Sequence, residues 1–98
     1  VSRAAFAAAF LLTLGAAAAE GPWPQVIDAV ELKGISWTKE FVVLRELPWR
    51  AGQEVSQADW NLGTTRLWNT DLFSRVDAQV EVRDGKKVAV LDLEERFS

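Results

Sequence analysis

The chain has 98 residues, 11 Lys and Arg against 14 Asp and Glu, no His and no Cys. Interspersed charges with a net value of −3 exclude a nucleic-acid footprint. The missing His and Cys remove the commonest metal ligands, the usual general base, a disulfide framework and a lipid-bearing cysteine.

Arg3 followed by the apolar run Ala4 to Leu14 and the small residues Ala16 to Ala19 has the form of a secretory leader cleaved before Glu20. A membrane anchor is the rival, but a span needs about 20 apolar residues, and this run breaks at Gly15 and Glu20. The sequence therefore predicts a leader over 1–19, an extended lead-in over 20–25 and one domain over 26–98. Loss of Arg3 with the leader leaves ten basic and fourteen acidic side chains, a net charge of −4.

Val26 to Lys33 predicts a first strand. Val30 and Leu32 alternate with Glu31 and Lys33, as a half-buried strand requires. Asp28 breaks the phase and predicts a bulge or a shifted entry there, and Gly34 ends the strand. Thr38 is placed as an N-cap with Glu40 in the first turn of a helix over Lys39 to Leu47. Its core stripe is expected to be Phe41, Leu44 and Leu47, widened by Val43. Pro48 stops it, and Trp49 to Val55 forms a connector. Ser56 caps a second helix, with Asp59 at the third position of a capping box, running to about Thr70. Trp60, Gly63, Thr64, Leu67 and Trp68 are assigned to its inner face, with Gly63 permitting close approach of a neighbour.

The last third predicts a β-hairpin turning on Asp84-Gly85. A two-residue turn pairs Arg83 with Lys86, Val80 with Ala89, Ala78 with Leu91 and Val76 with Leu93, apolar on apolar. The opposite face pairs Glu81 with Val88, Gln79 with Val90 and Asp77 with Asp92, a mixed and wet surface. The final strand is apolar on both parities, which suits a central position. The expected fold is α+β, in the order β-α-α-β-β. Two antiparallel helices cover one face of a three-stranded mixed sheet, ordered first–third–second strand, with the first and third parallel.

These pieces resemble the polypeptide-transport-associated, or POTRA, domains at the N-terminus of outer-membrane assembly and translocation proteins of the surface-antigen type. The resemblance is carried by Gly34-Ile35, Thr38, Arg45-Glu46-Leu47, Gly52, the run Arg66-Leu67-Trp68-Asn69-Thr70-Asp71-Leu72-Phe73, Val76 and Glu94-Glu95. Ile35 stands where such domains have Asn, and Asp71 where they have Gly after the helix; Asp tolerates a left-handed conformation less well than Gly, so some strain or a slightly different corner is expected there. Such proteins carry several of these domains and then a membrane barrel. The chain reads as a fragment of such a protein or as a solitary domain.

The resemblance implies a periplasmic module, attached to the outer membrane if part of a longer chain. It implies no catalysis, no metal and no cofactor. Expected partners are unfolded outer-membrane proteins, accessory periplasmic proteins and neighbouring POTRA domains. The alternative is a POTRA-type interaction domain of a two-partner secretion or cell-division protein, without substrate handling. The physical route is strand addition to an exposed edge. The expected edge is the second long strand, Arg75, Val76, Asp77, Ala78, Gln79, Val80, Glu81, Val82 and Arg83; its competing role is an ordinary solvated edge guarded by Asp77, Glu81 and Arg83. Trp60 and Trp68 are assigned to the core, while Trp37 and Trp49 are either exposed anchors or core lids.

Overall fold

The computed structural model describes residues 22–96; the expected leader lies outside them. The elements in order are β1 (Gln25–Ile27), β2 (Ala29–Lys33), α1 (Glu40–Leu44), β3 (Gln53–Val55), α2 (Gln57–Asn69), β4 (Phe73–Arg83) and β5 (Lys86–Glu95). The three longer strands form a sheet in the order β2-β5-β4, with β2 parallel and β4 antiparallel to the central β5. The expected arrangement of one mixed three-stranded sheet holds for these strands. It leaves out a second sheet, in which β1 pairs antiparallel with β3.

The single first strand expected over 26–33 is divided at Asp28, where the sequence phase breaks. The Asp28 N–H donates to the Lys87 carbonyl at 2.8 Å, and the Lys87 N–H donates to the Asp28 carboxylate at 2.8 Å. The Asp28 side chain thus stands in for a backbone acceptor at the irregular position. Before it, β1 turns to β3, in a stretch expected to be a bare connector; three residues were too few for a periodic signal.

The hairpin follows the expected register. Arg83 faces Lys86, Val80 faces Ala89, Ala78 faces Leu91 and Val76 faces Leu93. Asp84 and Gly85 have φ of 52° and 78°, the two positive values that a type I′ turn demands. Val80, Ala89, Leu91 and Leu93 are buried on the helix-covered face. The register slips between Phe73 and Arg75, which leaves Ser74 as the extra residue.

Helix α2 is capped as expected: the Asp59 N–H donates to Ser56 Oγ at 3.1 Å. Asp71, after the helix, has φ of 63°. Trp60, Gly63 and Leu67 form the buried face, and Gly63 provides the expected close approach, to Leu47, Pro48 and Trp49. Trp68 departs from the expectation and is 53% exposed. At 100° per residue it stands about 80° away from Trp60 around the helix, whereas Leu67 stands within about 20°.

Helix α1 is five residues long rather than nine. Beyond Leu44 the chain continues in tighter turns, with the Glu46 and Leu47 N–H groups donating to the Val43 and Leu44 carbonyls. Its core face is Val43 and Leu47, four apart; Phe41 is 61% exposed and Leu44 also meets solvent. Spacing by three drifts about 60° per step, so a stripe through Phe41, Leu44 and Leu47 turns off the core. Nor does Thr38 cap this helix. The N-cap position falls at Lys39, without a side-chain hydrogen bond.

Thr38 is instead held by Glu95. The backbone N–H groups of Ser36, Trp37 and Thr38 all donate to this one carboxylate, at 3.1, 3.1 and 2.8 Å, and Ser36 Oγ donates at 3.2 Å. The last strand thereby clamps the loop that leads into α1. Desolvation pushes the Glu95 pKa up, but the Thr38 N–H, the nearby Thr38 hydroxyl and the Ser36 and Trp37 N–H groups outweigh it and hold the pKa at about 2. The hydroxyl acts through proximity, since Thr38 Oγ1 makes no hydrogen bond of ordinary geometry.

The core is one cluster spanning both sheets and both helices. Its centre is aromatic: Trp49 stacks on Trp60 at 5.7 Å, and Trp23 tilts against Trp60 at 5.5 Å. Trp49 is therefore a core residue, while Trp37 is 46% exposed. The expected lead-in also contributes, since Trp23 packs against the core and Gln25 opens β1.

Candidate functional site

Strand β4 pairs with β5 along one side, and among the described residues the sheet ends at its other side. The turn fixes which backbone groups remain there. In a two-residue hairpin the residues flanking the turn exchange both hydrogen bonds, and bonded and non-bonded pairs alternate from that point. Arg83, Glu81, Gln79, Asp77 and Arg75 therefore spend their N–H and C=O groups on β5. Those of Val82, Val80, Ala78 and Val76 point outward along the rim.

The same alternation sorts the side chains. Val76, Ala78 and Val80 lie on the helix side, half-buried or buried, while Arg75, Asp77 and Gln79 lie exposed on the open face. Val82, past the end of the helix layer, is 68% exposed. Beside the rim, Thr64, Thr65 and Trp68 of α2 and Val76 of β4 line a shallow groove. The outward backbone groups and the half-exposed indole thus lie next to each other.

The open face carries two arginine forks. Asp77 and Asp92 face each other across the hairpin. Arg75 reaches Asp77 at 2.9 Å, Asp92 at 3.6 Å and Glu94 at 3.9 Å. Its hydrogen bond to Asp77, then the Asp92 charge, raise the guanidinium pKa and relieve the like-charge pair. Arg83 Nη2 reaches Glu81 of its own strand at 2.8 Å and Glu31 of β2 at 2.6 Å. Hydrogen bonds to Glu81 and then Glu31 raise its pKa likewise. Because β5 lies between β4 and β2, the Arg83 side chain crosses the central strand. Glu81 pairs with Val88 and Glu31 with Val90, so the crossing lies over those two valines, which are buried on the otherwise wet face.

All nine residues expected to form the edge are on β4, and they divide into the outward and inward sets above. Trp68 is the groove residue that the sequence reading assigned wrongly, to the core. The Glu95 clamp was also missed, since nothing in local spacing links Glu95 to residues almost sixty positions earlier.

A two-helix layer over a mixed sheet of order β2-β5-β4, closed by a hairpin, is the architecture of a POTRA domain. The POTRA3-5 segment of BamA from Haemophilus influenzae matches with a TM-score of 0.67 at 18% identity, over 72% of this chain and 29% of that one. BamA from Haemophilus ducreyi lacking POTRA domains 1-3 gives 0.68 at 17%, over 74% and 14%. POTRA1-3 of the periplasmic domain of Omp85 from Anabaena gives 0.63 at 19%, over 74% and 35%. The chain thus spans about a third or less of the length of these solved neighbours. No family model and no curated protein matches the sequence. These likenesses establish the fold, which is that of a POTRA domain.

Proposed function

We propose that this chain is a periplasmic protein-interaction module of outer-membrane protein assembly or translocation. Residues 1–19 serve as its export leader, and the working domain takes in 26–98 together with Trp23 and Gln25 of the lead-in, which pack on its core and open β1. It takes extended segments of unfolded or accessory proteins as an added strand along Arg75 to Arg83. Neighbouring POTRA domains and a membrane barrel are further partners if it acts within a longer protein. Its role in this reading is recognition rather than catalysis.

The observation that carries this reading is the outward backbone of Val76, Ala78, Val80 and Val82 beside the groove at Trp68. An added strand pairs with the rim, and every second side chain then faces α2. Four outward residues offer eight hydrogen-bonding groups, each worth about 1 kcal/mol net. Association costs at least about 4 kcal/mol, which leaves an affinity near the millimolar range. Weak, sequence-tolerant capture suits a module that passes many substrates along.

Amide-shift mapping with a peptide from an unfolded barrel strand tests this. The expected shifts run along Val76 to Val82 and include the Trp68 indole. Shifts that leave Val76 to Val82 silent contradict it.

A further inference from the structure

The opposite rim of the sheet holds a deeper depression. Among the described residues strand β2 pairs only with β5, and its helix-side residues Val30 and Leu32 are half-buried although they face the helix layer. The cause is the shortness of α1, which ends at Leu44 before it closes over them. Val30, Leu32, Leu44, Leu47 and Trp49 line the resulting groove, of about 450 Å³. That volume lies in the range of built ligand sites.

Two features specify an occupant. The groove runs along an edge strand, and alternate residues of such a strand turn their N–H and C=O groups outward. An extended segment paired there places every second side chain over the groove. The ends of the groove carry opposite charges. Glu40, at the start of α1, makes no ion pair among the described residues. Arg50, at the other end, is held in place by donating to the Leu47 and Trp49 carbonyls at 2.7 and 2.9 Å. The Gly52 N–H, donating to the Ile27 carbonyl at 2.7 Å, fixes that loop beside the beginning of β2.

We propose that the β2–α1 groove is a second peptide site, which takes an extended segment with apolar side chains at alternate positions, a basic residue against Glu40 and an acidic residue against Arg50. This site does not depend on the β4 rim. One domain then holds two segments at once, one on each edge of its sheet.

The test uses the full chain, isotope-labelled, and two short peptides alternating Leu and Thr. One carries Lys at one end and Asp at the other; its control carries Gln and Asn. The charged peptide is expected to shift the amides of Val30, Leu32 and Ala51 and to bind there about three- to tenfold more tightly than the control. Glu40→Gln should narrow that difference, and Leu44→Glu should abolish the β2 shifts while leaving any at β4. Shifts at β4 alone, or equal affinity for both peptides, overturn the proposal. So does a groove that binds the apolar dye anilinonaphthalene sulfonate while both peptides leave it silent, which marks a small-molecule site.

Discussion

Gly34 meets the backbone of Leu93 so closely that a Cβ on Gly34 would overlap the Leu93 carbonyl oxygen and lie 2.9 Å from its carbonyl carbon. Its φ of 90° is also one that other residues rarely adopt. Neither neighbour can yield, because both are main chain. Gly34→Ala is expected to cost on the order of 4 kcal/mol, a large part of the roughly 5–15 kcal/mol of a whole domain. Urea unfolding followed by tryptophan fluorescence should show a midpoint moved to much lower urea. A variant within about 1 kcal/mol of the wild type would mean that the close approach is absent in solution.

The Glu95 clamp makes stability depend on pH in a defined direction. Its folded pKa is about 2, below the ordinary value of 4.5. The contribution is fully present above the unfolded pKa and is lost as pH falls through the interval down to about 2. Unfolding midpoints in urea between pH 6 and 2 should therefore decline through this interval, and Glu95→Gln should flatten that part of the profile. An unchanged profile in the variant argues against the clamp.

Trp68 should separate binding from stability. It is half-exposed and stands off the core, so Trp68→Ala is expected to lower stability by less than about 1 kcal/mol. Peptide titrations at the β4 rim should weaken several-fold, because the added strand loses its aromatic wall. Equal loss of binding and fold would return this residue to the core.

Gly63 sets two effects in opposition. Alanine gains about 1 kcal/mol of helix propensity, but its Cβ would lie 3.1 Å from Leu47 Cδ2 and 3.3 Å from Pro48 Cδ. Leu47 is buried and the proline ring is rigid, so strain of roughly 1–3 kcal/mol should prevail. Gly63→Ala is expected to be net destabilising in thermal unfolding; a raised midpoint would show that the Leu47–Pro48 segment can give way.

Arg83 covers the central strand on the wet face. Arg83→Ala should expose Val88 and Val90 and raise self-association, measured by light scattering against concentration. Arg83→Lys should restore solubility only in part, because a lysine lacks the planar fork that holds Glu31 and Glu81 together.

The hairpin was legible because two independent signals agree: the Asp84-Gly85 turn fixes the register, and the register stacks apolar on apolar. The break at Asp28 and the Ser56 cap were visible for the same reason, as strong local chemistry. What escaped was decided by tertiary packing. Phe41 and Trp68 look like core residues because of their size, and only the angular drift around their helices shows that they leave it. Thr38 has the chemistry of a cap, but the helix starts one residue later, with its N-cap position at Lys39, and Thr38 is held through its N–H by the Glu95 carboxylate. The three-residue strands β1 and β3 carry no period at all.

The division of β4 into outward and inward residues has a kinetic consequence. If a guest strand lies along that rim, sliding it by a single residue turns its whole pattern inside out, whereas sliding by two, about 6.8 Å, restores every bond. Transit along the edge would then proceed in two-residue steps between equivalent stops, each separated by a barrier, with no direction preferred.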